Sequence, residues 1–124
     1  MTDLHTPGAK DDGEKPRPTL IMEGMPRALN AVINVGTFGA KKYSDGGWLH
    51  VPNGHARYTD ALYRHLLAEA QGELYDEESC IEHAAHTAWN AMARLELMLR
   101  NKPRDTRRDD DAKRFTALGE NDGL

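Results

Sequence analysis

The chain has 124 residues, with 16 Lys and Arg against 20 Asp and Glu and a formal net charge of −4. This length fits one small domain, and an acidic chain without a basic, aromatic-studded stretch argues against nucleic acid as the main ligand. No apolar run is long enough to cross a membrane, and the polar, acidic N-terminus is unlike a signal peptide. The single Cys80 excludes an intramolecular disulfide and fits a reducing cytoplasm.

The two ends of the chain differ in composition from its middle. Residues 1–19 and 101–124 contain few large apolar side chains, which predicts flexible segments. We expect residues 1–12 and 104–124 to be dispensable for ligand binding. The folded unit is then residues 20–100, and because so small a core is marginal alone, we expect a dimer or larger oligomer to complete it.

Helical periodicity predicts three main helices, near residues 24–40, 57–71 and 78–100. Pro26 suits the opening turn of the first helix. Its apolar residues recur at helical spacing: Ala28, Leu29, Val32, Ile33 and Gly36. Residues 44–56 are rich in Gly, Pro, Asn and Asp, which predicts a long loop. An extended stretch at residues 48–51 is the one candidate strand.

The second and third predicted helices each carry one apolar stripe. In the second, Leu62, Leu66 and Ala70 share a face, and Gly72 is expected to end the helix. In the third, apolar residues alternate three and four apart, as in a bundle seam: Ala85, Ala88, Met92, Leu95 and Leu99. The expected fold class is therefore all-α, a small bundle of about three main helices per chain.

Acidic residues are concentrated around the junction of the second and third helices. Six lie between Arg64 and Arg94 with no basic residue among them: Glu69, Glu73, Asp76, Glu77, Glu78 and Glu82. Helical spacing adds histidines to this group, because His86 lies four after Glu82 and three after His83, and Asn90 follows His86 by four. Divalent cations typically relieve such repulsion, which predicts a metal site among Glu73, Asp76, Glu78, His83 and His86.

Oxygen ligands favour Mg²⁺ or Mn²⁺, and histidine ligands would shift the preference towards Mn²⁺, Co²⁺ or Zn²⁺. The alternative is structural, because acidic residues at a helix N-terminus complement its dipole, and residues 76–79 could be a cap. Under the metal hypothesis, replacing Glu73 or Asp76 by alanine should weaken metal binding. It should also relieve repulsion and leave the metal-free protein as stable or more so.

Basic residues flank the predicted loop and are candidates for binding phosphate. Lys41 and Lys42 end the first helix, and Arg57 and Arg64 lie on the second. The lysines could instead complement the C-terminus of their own helix. If the loop closes over a nucleotide, these cations should face the acidic cluster across it. Lys41→Ala or Arg64→Ala should then weaken triphosphate binding about ten- to a hundredfold.

Several segments, in order over about residues 15–100, resemble one family. The segments are KPRPTLI, ALNAVINVGTFGAKKYSDGGW, RYTDALYRHLLAEAQGELYDEES and HAAHTAWNAMARLEL. They are similar to the phage-encoded dATP/dGTP diphosphohydrolase (N-terminal domain) family, a MazG-like group. The chain departs from the family pattern at three places. Gly46 and Gly47 precede Trp48 where Asn is usual, Cys80 replaces a usual Gly, and Ala84 replaces a usual Leu.

The resemblance implies a helical, oligomeric, metal-dependent nucleotide pyrophosphohydrolase in the cytoplasm of the phage host. It would cleave purine (deoxy)nucleoside triphosphates to the monophosphate and pyrophosphate, with Mg²⁺ or Mn²⁺ as cofactor. The residues implied in catalysis are His65, Glu73 and Asp76. Ligand contacts are implied for Lys41, Lys42, Tyr43, Trp48, Arg57, Arg64 and Asn90, with Trp48 or Tyr43 stacking the base.

Two other functions fit the same residues. A binding module would capture a nucleotide, such as a defence signal, in the same pocket without hydrolysing it. A purely structural or interaction protein would carry the acidic patch as a solvated face.

Overall fold

The computed structural model describes residues 3–101, and the regular elements in this range are all helices, as predicted. The helices are α1 Thr19–Met22, α2 Pro26–Lys42, α3 Gly54–Ala70 and α4 His83–Asn101, and a 3₁₀ helix, Gly47–His50, lies between α2 and α3. α4 packs against both α3 and α2. No helix in this part of the chain is both long and apolar enough to span a membrane. The predicted C-terminal tail lies, apart from Asn101, outside the described residues.

α2 and α3 lie close to their predicted positions. Pro26 opens α2, and α3 begins at Gly54 rather than near residue 57. α3 ends in a Schellman motif, because Gly72 has φ 96° and its N–H donates to the carbonyl of Glu69 at 3.0 Å. The N–H of Glu73 donates to the carbonyl of Ala68, also at 3.0 Å. Gly72 therefore ends the helix as predicted, and the chain turns back towards α4.

The start of α4 and the form of the loop before α3 were predicted wrongly. α4 begins at His83, not near residue 78, because residues 76–82 form a tight turn. In that turn the N–H of Cys80 donates to the carbonyl of Asp76 at 2.8 Å, and Cys80 has φ 60°. The stretch at residues 48–51 is not extended, since most of it belongs to the 3₁₀ helix.

The interior of the described chain is thin and partly polar. Its buried apolar residues are Val35, Ala85 and Ala93, and its buried polar residues are His83, His86 and Asn90. Met92, Leu95 and Leu99 are each more than half exposed, so the C-terminal half of the predicted seam of α4 is not buried within one chain. α2 likewise buries Val35 and leaves the predicted Ile33 exposed, and Leu66 of α3 is also exposed. Helical spacing identified the apolar stripes, but the chain packs other faces inward.

An aromatic cluster fixes the 3₁₀ helix against the other helices. Trp48, Tyr58 and Trp89 meet edge-to-face, with ring centroids 5.6 to 6.3 Å apart. The hydroxyl of Tyr58 donates to the carbonyl of Trp48 at 2.6 Å. On α2, Gly36 makes room for Trp89, because a Cβ there would lie 3.3 Å from the indole Nε1. The cluster therefore ties α2, α3 and α4 to the loop that precedes α3.

Candidate functional site

Three imidazoles converge where the end of α3 meets the start of α4. Nδ1 of His65 lies 2.8 Å from Nδ1 of His83. The His65 ring also stacks on His86, with centroids 4.5 Å apart and planes 10° apart. His83 and His86 are buried and His65 is half-buried. The packing of α3 on α4 thus adds His65 to the pair that spacing predicted.

The environment favours the uncharged form of two of these imidazoles. Burial lowers the pKa of His65 below its ordinary value, and the neighbouring His86 and His83 lower it further. Burial also lowers the pKa of His86, although the Asp76 carboxylate opposes that shift. A neutral imidazole keeps one nitrogen lone pair free, which is the form that binds a metal ion.

Asp76 is oriented by the turn before α4. Its Oδ2 accepts hydrogen bonds from the backbone N–H of Ser79 at 2.9 Å and from the Ser79 hydroxyl at 2.8 Å. Partial burial raises the pKa of Asp76, but the two hydrogen bonds from Ser79 and the neighbouring His86 and His65 lower it, and the pKa lies below its ordinary value. Both bonds fall on Oδ2, so Oδ1 has no hydrogen bond within residues 3–101. Asp76 therefore closes this turn and does not cap α4.

Ser79 links Asp76 to His86 and was absent from the predicted site residues. Its single hydroxyl proton goes to Asp76, so in the 2.7 Å contact between Ser79 Oγ and His86 Nε2 the imidazole is the donor. Ser79 Oγ also accepts the N–H of Ile81 at 3.2 Å. With one bond donated and two accepted, this hydroxyl supports the carboxylate and the imidazole and is not free to act as a nucleophile. The available signal was the three-residue spacing of Asp76 and Ser79, which in the sequence indicated a possible helix cap.

His83 contributes a nitrogen without a partner. The residue is 5% exposed, and its Nε2 is buried with no hydrogen bond in the described part of the chain. Oε1 of Glu73 lies 3.6 Å from this nitrogen, beyond hydrogen-bonding distance. His65, Asp76 and His83 each offer one ligand atom, and these three atoms lie within 4.8 Å of one another. These three residues, the His65–Asp76–His83 group, are geometrically able to hold a metal ion.

Glu78, a predicted metal ligand, pairs with a predicted phosphate ligand. Nζ of Lys42 lies 2.6 Å from Oε1 of Glu78, and this hydrogen bond raises the pKa of Lys42. Nζ also lies 5.2 Å from the centre of the Tyr43 ring. The C-terminus of α2 therefore reaches the turn that carries Asp76, and Glu78 is not part of the His65–Asp76–His83 group.

The other predicted ligand contacts divide into exposed and packed residues. Those exposed to solvent are Lys41, Tyr43, Arg57 and Arg64. Trp48 is half-buried in the aromatic cluster. Asn90 is buried, and its Nδ2 donates to the carbonyl of His86 at 2.8 Å. The packed residues therefore support the helices around the site.

A comparison with protein families matches most of the chain. The family model described as "dATP/dGTP diphosphohydrolase, N-terminal" matches residues 5–107, which confirms the resemblance noted in the sequence. Neither a curated protein nor a solved structure matches the chain significantly.

Proposed function

The chain belongs to the dATP/dGTP diphosphohydrolase, N-terminal family, and we propose that it is a cation-dependent nucleotide pyrophosphohydrolase. Its proposed substrates are purine (deoxy)nucleoside triphosphates, which it cleaves to the monophosphate and pyrophosphate. The observation that carries the proposal is the His65–Asp76–His83 group, whose ligand atoms lie within 4.8 Å of one another and include a residue with a buried, unpartnered nitrogen.

The donor atoms of this group suit a divalent cation. Two imidazoles and one ionised carboxylate are common ligands of such ions, and Oδ1 of Asp76 is free of hydrogen bonds from the described residues. When bound, the cation would supply an activated water and neutralise phosphate charge. Of the two predicted ions, Mn²⁺ is the one that histidine ligands favour. The chain contributes the ligands, and Ser79 fixes the orientation of the carboxylate.

Lys42 supplies the cationic side of the proposed site. Its charge is paired with Glu78 in the free protein, and a triphosphate would replace Glu78 as its partner through charge-assisted hydrogen bonds. Lys41 adjoins Lys42 and Arg64 adjoins His65, and both side chains are exposed. Arg57 lies two helical turns before Arg64, roughly 10 Å away along α3, which makes it the outermost of the proposed phosphate contacts.

Tyr43 is the better supported of the two candidate partners for the purine base. It is 75% exposed and directly follows Lys42, so its ring is free to stack on a base bound beside the phosphates. Trp48 packs edge-on against Tyr58 and Trp89, and stacking a base would require it to leave that cluster.

A second copy of the chain completes the proposed assembly. α4 carries an exposed apolar stripe formed by Met92, Leu95, Met98 and Leu99, each more than half exposed. Met92, Leu95 and Leu99 keep the alternating three- and four-residue spacing of paired helices. Packing this stripe against its counterpart in a homodimer would bury the apolar area that one chain leaves exposed.

The activity is tested by incubating the protein with dATP, dGTP and pyrimidine triphosphates in Mg²⁺ or Mn²⁺ and separating the products by anion-exchange chromatography. Equal amounts of purine monophosphate and pyrophosphate are expected. Asp76→Asn should lose turnover, whereas Glu77→Gln, an exposed neighbour in the same turn, should retain it. Depletion of free nucleotide without products would instead support capture without hydrolysis. If the nucleotide is neither depleted nor cleaved, both functions are contradicted.

A further inference from the structure

We propose that His65, His83 and Asp76 form a resident site for a first-row transition-metal ion of the Zn²⁺ or Co²⁺ class, and that this site discriminates against Mg²⁺. The inference deepens the proposed function, since it concerns the same residues, but it can be tested without nucleotide. It rests on the types of donor atom, on the protons that these atoms carry and on the support given to the carboxylate.

The donor types separate the candidate ions. Mg²⁺ takes oxygen ligands in octahedral geometry and gives up its water reluctantly. Imidazole nitrogen suits Zn²⁺ and related transition metals, whose affinities generally rise from Mn²⁺ through Co²⁺. In the His65–Asp76–His83 group, two of the three residues offer nitrogen. Glu78, whose carboxylate would shift the balance towards oxygen, is paired with Lys42 instead.

The contact between His65 and His83 leaves a nitrogen for such an ion. Their Nδ1 atoms are 2.8 Å apart and share one proton, because a hydrogen bond needs one donor and one acceptor. If His83 is the donor, its buried Nε2 carries a lone pair. If His65 is the donor, that Nε2 carries a buried N–H with no acceptor within hydrogen-bonding distance among residues 3–101. The first arrangement avoids an orphaned donor. A metal ion would then use the lone pair of His83 Nε2, and His65 would ligate through Nδ1, whose lone pair is released once this hydrogen bond opens.

Asp76 is held in one orientation before any ion binds. Its Oδ2 takes both hydrogen bonds from Ser79, and Ser79 is in turn held by the N–H groups of His86 and Ile81. Ser79 and His86 are therefore positioning residues. Outer-shell groups of this kind typically change metal affinity by roughly 10- to 100-fold when they are removed.

The test is a titration of the chelator-treated full chain with Co²⁺, followed by visible absorption and by calorimetry. We expect one equivalent to bind with a ligand-field band, Zn²⁺ to displace it, and a large excess of Mg²⁺ to leave it in place. His65→Gln and Asp76→Asn each remove a ligand, so each should weaken Co²⁺ binding by more than the roughly 10- to 100-fold typical of removing an outer-shell group. His55→Gln, an exposed histidine in the first turn of the same helix, should bind Co²⁺ like the parent protein.

Ser79 provides a second, independent measurement. Ser79→Ala should weaken Co²⁺ binding by about tenfold and alter its absorption band, and Ser79→Thr, which keeps a hydroxyl, should restore both. Circular dichroism shows whether each variant retains its helices. If another variant does not fold, the Co²⁺ affinity of the conservative Asp76→Asn variant still tests the site.

Two results would overturn the inference: Mg²⁺ competing with Co²⁺ at equal concentration, or His65→Gln binding Co²⁺ as tightly as the parent protein. Failure of the proposed function is distinguishable from either. Tight Co²⁺ binding by a chain that cleaves no nucleotide would leave the metal site standing and remove the hydrolase. Cleavage that Mg²⁺ supports and that His65→Gln does not affect would keep the hydrolase and remove the metal site.

Discussion

Replacing Asp76 by alanine should destabilise the metal-free protein, although the change removes a negative charge from an acidic segment. The carboxylate accepts two hydrogen bonds from Ser79, and hydrogen bonds to a charged group each contribute about 1.5–3 kcal/mol. The side chain is 22% exposed, so water replaces part of that loss and we expect a decrease of about 2 kcal/mol in the free energy of unfolding. Repulsion from Glu77 and Glu78 is weaker, because both are exposed and screened by water.

Urea denaturation in the presence of a chelator measures this effect. A domain of this size loses about 4–8 °C of Tm per kcal/mol, so a thermal scan should show a decrease of roughly 10 °C. The matched control is Glu77→Ala, the exposed neighbour whose side chain makes no hydrogen bond with the described residues. It should leave stability unchanged or slightly raised, as should Glu73→Ala. An Asp76→Ala protein as stable as the parent would refute this reasoning and restore the sequence-based expectation that repulsion dominates.

Three further predictions concern the phosphate side, the helix packing and the assembly. Lys42→Ala should weaken binding of dATP about tenfold in calorimetry, whereas Glu78→Gln, which removes the competing carboxylate, should strengthen it; equal effects on deoxyadenosine would argue against a phosphate contact. Gly36→Ala should cost about 1 kcal/mol in urea denaturation because its Cβ would press on an indole ring. Gly39→Ala, whose Cβ meets nothing within 4 Å, should instead add about 0.5–1 kcal/mol. Leu95→Glu should convert the dimer to a monomer in light scattering, and a parent protein that already measures 13.9 kDa would contradict the proposed interface.

Periodicity predicted the helices better than it predicted their buried faces. Spacing alone identified the apolar stripe of α4 that includes Met92 and Leu95, but it could not tell whether that stripe meets another helix of the same chain. The face that turns inward carries His83, His86 and Asn90. Polar groups can be buried where hydrogen bonds satisfy them, and the partners of these residues come from α3, from the turn at residues 76–82 and from the backbone of α4.

The site was predicted in its residue types and only partly in its arrangement. Asp76, His83 and His65 were all among the expected residues, and the packing of α3 on α4 brings them together. α3 ends before Glu73, and the Schellman turn brings the Glu73 carboxylate to 3.6 Å from Nε2 of His83. The pairing of Lys42 with a neighbouring acid depends on how α2 docks, which no local pattern in the sequence specifies.

The turn at residues 76–82 joins the two halves of the proposed site through separate hydrogen bonds. On one side, Glu78 binds Lys42. On the other, Ser79 completes its hydrogen bonds with Asp76, His86 and Ile81, and none of those bonds involves the Glu78 side chain. A phosphate that takes Lys42 from Glu78 would therefore leave the carboxylate of Asp76 in its orientation. Glu78→Gln should change nucleotide affinity alone, and Ser79→Ala should change Co²⁺ affinity in the absence of nucleotide.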